Sequence, residues 1–261
     1  EKDGDEWVLN GQKVWTSGAH FADYGMVVAR SDPSALKHKG LTYFFLDMKT
    51  PGVEAKPIKQ ISGSANFNEV FFNDVRIPDS QRLGAEGDGW KVALTTLMNE
   101  RLAVGDPPGL DFDQIFEATK EIEVEDGLAI KNSEVRQKMA DWYVQSRGLQ
   151  YTKYRSMTAL SKGQTPGPEL SISKLVTASK MQEVSSYALD LMDMAGYVHH
   201  DKNPVMRNLF QNGYFFSAAM RIAGGTDEVL RNIIAERVLG LPQDERPDKK
   251  VPFNELPSGK N

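Results

Sequence analysis

Three short stretches of this 261-residue chain hold residue types suited to chemistry. The first is Gly11-Gln12-Lys13-Val14-Trp15-Thr16-Ser17-Gly18. At the end of a strand, a Trp followed by two hydroxyl residues can offer a flat heterocycle an aromatic face and a hydrogen-bonding edge. An ordinary half-buried strand ending in a polar turn reads the same way. The second is Asn99-Glu100-Arg101-Leu102, on a stretch of helical period. A carboxylate set beside an apolar surface is partly desolvated and suited to proton abstraction. Adjacent charges on a helix are also a common solvated pair. The third is Ala223-Gly224-Gly225-Thr226-Asp227-Glu228. Its glycines allow close backbone approach, Thr226 can cap a helix, and the first N–H groups can face a phosphate or a flavin. Asp227 and Glu228 suit the helix dipole but oppose a bound anion, so a plain helix cap fits equally.

Composition narrows the chemistry. There is no Cys, which excludes disulfides, thiolate zinc, iron–sulfur clusters and a Cys nucleophile. The four His include the adjacent pair His199-His200, and no metal site is expected. Lys and Arg number 31 against 36 Asp and Glu, so no basic excess points to nucleic acid. No run approaches the roughly 20 apolar residues of a membrane span. With 40% hydrophobic residues the chain can bury a core in one or two domains. No signal peptide is read, and a cytoplasmic setting is expected. Strand pattern begins almost at Glu1 with no initiator Met, which suggests a fragment, a processed chain or one part of a split protein.

The elements that must position these residues change character near residue 78. Before it, Trp7-Val8-Leu9, Val14-Trp15, Met26-Val27-Val28, Thr42–Leu46 and Val70-Phe71-Phe72 read as strands. Asn10-Gly11 between two of them predicts a tight hairpin turn. Helices are predicted over Asp88 to Gly105, Asp111 to Glu123, Ser133 to Ser161 with Ser133 as N-cap, Glu169 to Met194, within Val205 to Ala223, and from Thr226 to a Gly240-Leu241-Pro242 stop. The expected fold is α+β: a partial β-barrel or sandwich over 1–78, then an antiparallel four-helix-bundle domain over 79–242. A polar tail, 243–261, reads as mobile or as a strap over a partner.

In order, the strings G-Q-K-V-W-T-S-G, F-N-E-V-F-F-N-D-V-R-I-P, L-G-A-E-G-D-G-W, N-E-R-L and A-G-G-T-D-E-V-L-R-N-I-I-A-E-R-V-L-G-L-P resemble the acyl-CoA dehydrogenase family. The likeness runs from its middle β domain to the C-terminus, in the manner of bacterial fatty-acid and steroid-degrading members. The family's N-terminal helical domain is expected to be absent from this chain.

The resemblance implies noncovalent FAD, with Trp15 against the flavin, Ser17 and Thr16 near its N5 edge, and Gly225 and Thr226 close by. It implies α,β-dehydrogenation of an acyl-CoA thioester, with reoxidation by an electron-transfer flavoprotein and assembly as a homo- or hetero-oligomer, dimer or tetramer. Many members carry the catalytic Glu where this chain has Gly224. Another branch places it in a Glu-Arg pair after the β domain, which assigns the base to Glu100 here. Arg101 and Gly224 fall on the substrate side. Where the family usually has an R-x-x-F-G string against the FAD diphosphate, this chain is acidic from Glu121 to Asp126. That departure suits a non-catalytic partner subunit of a heteromeric enzyme. A flavin monooxygenase or oxidase of the same fold is a further alternative.

Overall fold

The structure, a computed structural model, describes residues 1–103, 110–164, 167–168, 170–198 and 205–257. It describes their side chains apart from those at 98–103, 170, 205–207 and 247. The chain forms two compact units, Glu1–Gly105 with Asp244–Asn261, and Asp106–Gln243.

In the first unit, β1 (Lys2–Asp3), β2 (Glu6–Ser17), β6 (Phe67–Pro78) and β5 (Val53–Ile58) form a sheet in the order β1-β2-β6-β5. A second sheet joins β3 (Tyr24–Arg30), β4 (Leu41–Asp47) and β7 (Arg82–Leu83). All these pairings are antiparallel. Trp7, Val70, Phe72, Val75 and Ile77 of one sheet share a core with Val27, Phe44 and Leu46 of the other. Burying such a side chain is worth about 1.5–3 kcal/mol. Two sheets over one core make a sandwich; among the described residues no closed barrel forms.

Asn10-Gly11 is not a hairpin turn. Strand β2 runs straight through it and pairs with β6, some sixty residues on. Opposite Asn10, β6 carries two residues, Asn73 and Asp74, and Asp74 has φ +50°. This is a β-bulge. The Asn10 side chain closes it, accepting from the Asp74 N–H at 2.8 Å and donating to its carboxylate at 2.9 Å. The bulge also explains why β6 buries Asn68, Val70 and Phe72, then shifts phase to bury Val75 and Ile77.

Helix α1 (Gly89–Ala103) packs with the strands of this first unit, against β3 and β4. Gly89 permits that approach: a Cβ there would lie 2.6 Å from the Thr42 carbonyl carbon. Trp90 stacks on His38 at 4.4 Å between ring centres. Burial first, then Lys37 and Arg30, hold the His38 imidazole below its ordinary pKa. The loop that carries His38 also receives the C-terminal segment. Lys37 pairs with Asp248, the Arg30 guanidinium lies 3.7 Å over the Phe253 ring, and Phe253 N–H donates to Ala35 O at 3.2 Å.

The second unit holds α2 (Phe112–Thr119), the short pair β8 (Glu123–Val124) and β9 (Gly127–Leu128), α3 (Ser133–Ser161), α4 (Leu170–Leu191), α5 (Met194–Tyr197), α6 (Val205–Met220) and α7 (Asp227–Ile233). One core takes Ile115 and Ala118 from α2, Val135, Met139 and Trp142 from α3, Met181, Val184 and Ala188 from α4, and Phe210 from α6. Helix α2 ends at Thr119, short of the expected Glu123, because the chain turns into the β8–β9 hairpin. Asn132, not Ser133, caps α3: its side chain accepts from the Glu134 and Val135 N–H groups. An ion pair between a buried ammonium and a half-exposed carboxylate ties the helices together. Lys180 Nζ on α4, 1% exposed, donates to Asp111 Oδ1 at 2.6 Å and to Ser146 Oγ on α3 at 2.8 Å.

Candidate functional site

Trp15, Thr16 and Ser17 sit at a second bulge of β2. Between the pairs Lys13–Val70 and Thr16–Asn68, Val14 and Trp15 face the single residue Glu69. Trp15 takes φ +60°, a backbone region L-residues other than Gly, Asn and Asp visit rarely. This second half of β2 lies beyond the reach of β1 and is mostly exposed. Trp15 is 61% exposed and meets the Phe67 ring edge-on at 6.0 Å between centres. Ser17 is exposed and Thr16 half-buried. The buried Asn68 amide anchors the segment by donating to the Thr16 carbonyl at 2.9 Å, and Gly18 N–H donates to Asn66 O at 2.8 Å. Exposed Val14 and Phe21 extend the apolar surface. The segment offers an exposed aromatic side chain, with two hydroxyl residues following it in the strand.

Gly224, Gly225 and Thr226 form one turn leading into α7. The glycines have φ +66° and +104°, and a Cβ on Gly224 would meet nothing within 4 Å. Thr226 is the N-cap, its hydroxyl accepting from Val229 N–H at 3.3 Å. Behind the turn Asp227 is 2% exposed, and its Oδ2 accepts from Arg221 Nε at 2.7 Å. Lys174 Nζ on α4 donates to the Gly225 carbonyl at 2.6 Å. Neither Lys174 nor Arg221 was singled out from sequence; Lys174 meets the turn through tertiary packing, and Arg221 closes locally onto Asp227.

The expected site residues thus fall in three places: Trp15–Ser17 on β2 and positions 100–101 on α1 in the first unit, and the Gly224–Thr226 turn in the second. Glu100 and Arg101 lie on α1 in the first unit, and their side chains fall outside the described residues. The acidic stretch expected to depart from the family pattern is the β8–β9 hairpin, where Glu121, Glu123, Glu125 and Asp126 are all exposed. Among the described residues no group of three or more His, Asp or Glu is placed to hold a metal, and no helix is long and apolar enough to cross a membrane.

Comparison with known proteins gives these groups a context. Residues 1–75 match the family "Acyl-CoA dehydrogenase, middle domain", and residues 87–239 match "Acyl-CoA dehydrogenase, C-terminal domain". Acyl-CoA dehydrogenase IpdE1 of Mycobacterium tuberculosis is 36% identical over 247 residues, 94% of this chain and 62% of that protein. Acyl-CoA dehydrogenase FadE34 of the same organism is 36% identical over 239 residues, 91% of this chain and 32% of that protein. The chain therefore spans less than two thirds of the length of these relatives. The ChsE4-ChsE5 complex from M. tuberculosis superposes with a TM-score of 0.77 at 24% identity, over 93% of this chain and 63% of the matched chain; at that identity the likeness is one of fold. Two consecutive domain matches, in the order in which strands give way to helices, account for nearly the whole sequence, and the chain belongs to the acyl-CoA dehydrogenase family.

Proposed function

We propose that this chain carries out, or forms the larger part of an enzyme that carries out, FAD-dependent α,β-dehydrogenation of an acyl-CoA thioester. The observation that carries the reading is the bulge at Trp15, where a strained backbone exposes an indole on the strand segment that also carries Thr16 and Ser17. These groups suit an isoalloxazine ring, which needs an apolar contact on its face and hydrogen-bonding partners along its edge. The open Gly224-Gly225 backbone and Thr226 suit the close approach of a large planar group.

In this reading Trp15 packs on the cofactor, and Ser17 and Thr16 hold its polar edge. The resemblance also assigns Gly225 and Thr226 of the second unit to the cofactor and Gly224 to the substrate side. Glu100 removes the α-proton of the thioester, and Arg101 beside it contributes to the substrate side. Bound FAD supplies the acceptor for the β-hydrogen and its two electrons. The α-proton would leave on the Glu100 carboxylate, so that, with the acceptor FAD would supply, the α,β double bond is accounted for. An electron-transfer flavoprotein is the expected reoxidant.

The decisive experiment is anaerobic titration of the purified, flavin-loaded chain with a series of acyl-CoA thioesters, following the visible flavin band. Bleaching by one of them supports dehydrogenation. A second reading, a partner subunit with no chemistry of its own, is favoured by the exposed acidic hairpin at Glu121–Asp126, which would repel a diphosphate. Flavin that never bleaches, or that binds only when a second chain is added, supports that reading. Oxygen consumption in place of acceptor reduction points to an oxidase.

A further inference from the structure

Lys174 stands on α4, 51 residues before the carbonyl it holds. Its side chain is 19% exposed and has two acceptors within reach: the Gly225 oxygen at 2.6 Å and Asp227 Oδ1 at 3.9 Å. The distances decide which it serves. Asp227 already pairs with Arg221 through Oδ2, and Arg221 is itself anchored to Gln182 Oε1 on α4 at 2.8 Å. The Asp227 Oδ1 atom, buried, has no hydrogen-bond partner. The ammonium is therefore spent on the backbone carbonyl rather than on the nearest carboxylate. Burial pushes the Lys174 pKa down, with Asp227 opposing and Arg221 adding to the shift, so the ammonium is desolvated, where a charge-assisted hydrogen bond is strong.

The restraint falls where the backbone is softest. Gly224 and Gly225 both have positive φ and no side chain, so sterics hold the turn weakly. On its downstream side the Thr226 cap fixes the helix start. Upstream, a charged donor on the Gly225 oxygen sets the plane of the Gly225–Thr226 peptide. We infer that Lys174 is a positioning residue of the cofactor site, locking that peptide plane so that the glycine turn meets the flavin already in place. This inference rests on the flavin reading above.

The test compares wild type, Lys174→Met and Lys174→Arg in the full chain by two readouts. The first is amide hydrogen exchange over residues 222–230 in cofactor-free protein. The second is FAD affinity from a spectroscopic titration. Loss of a charge-assisted bond should speed exchange in the turn roughly tenfold or more and weaken FAD binding by a similar factor in Lys174→Met. Lys174→Arg, which keeps a cationic donor, should recover most of both, and exchange in the α3 core should stay as in wild type. Lys174→Gln carries the same comparison if Lys174→Met does not fold. Unchanged exchange in the turn overturns the inference. Faster exchange with undiminished FAD affinity confines Lys174 to the turn and overturns its role at the cofactor. A wild type that binds no FAD, while the Met variant still loosens the turn, overturns the flavin reading and leaves Lys174 as the restraint on the turn.

Discussion

Trp15 combines two costs that a protein ordinarily avoids: a bulky residue in a left-handed backbone conformation and a large apolar side chain in water. Such strain, of order 1–3 kcal/mol, tends to persist where it serves a site. Trp15→Gly should therefore hold or raise stability in a urea melt while lowering FAD retention. Trp15→Ala should weaken FAD retention more than Trp90→Ala, because Trp90 stacks on His38 within the fold. Gly224 offers no side chain for base catalysis, and Glu100 is the base proposed above. Glu100→Gln keeps shape and removes the base. It should leave flavin content intact and slow flavin reduction by an acyl-CoA roughly 10²-fold or more in stopped flow. A different carboxylate, Asp111, sets an acid limit. Burial pushes its pKa up, but the Lys180 ammonium, the Ser146 hydroxyl and the Phe112 N–H outweigh that and hold it below the ordinary value. A depressed folded value means the contribution is fully present above the ordinary aspartate pKa and is lost as pH falls through the folded one. Asp111→Asn should remove this part of the acid sensitivity in urea melts compared at about pH 6 and about pH 3. Asp111→Ala should cost more than Lys180→Met, since only the former strands a buried charge.

Elements differ in how openly they were written in the sequence. The change from strands to helices near residue 80 was legible because period-2 and period-3.6 patterns are local. The Thr226 cap was legible for the same reason: hydroxyl, acidic first turn and apolar run lie within seven residues. Asn10-Gly11 was misread because positive-φ tolerance serves a bulge as well as a turn, and what decides is the strand opposite, from Phe67 to Pro78. The strings that carry the site were legible as types, but not the strain at Trp15, which arises from two residues of β2 facing one of β6. Lys174 was invisible because its partner is a backbone carbonyl, and a carbonyl has no sequence. Gly89 was legible only as one letter of the L-G-A-E-G-D-G-W string, whereas its role is contact. Gly89→Ala drives a methyl against the Leu41 and Thr42 backbone, which cannot yield as a side chain would. It should destabilise the first unit by about 1–3 kcal/mol, measured by chemical denaturation.

Among the described residues, the helical unit exposes several large apolar side chains. Val144, Tyr151, Tyr154 and Met157 on α3, with Tyr214 and Phe216 on α6, are all exposed. We expect a dimer or larger assembly, homo- or heteromeric, by sedimentation velocity at micromolar concentration; a flavin-loaded monomer there would count against it. The C-terminal segment has a different consequence. Asp248 and Phe253 close onto Lys37 and Arg30, so the unit that begins the chain is completed only by residues that follow the helices. On a ribosome, the usual order in which N-terminal units finish first is reversed. The strands can pair early, but their loop at 31–40 waits for its last partners until the helical unit has been made. The described core of the helices draws on residues 110 to 210, all of them made before that segment emerges.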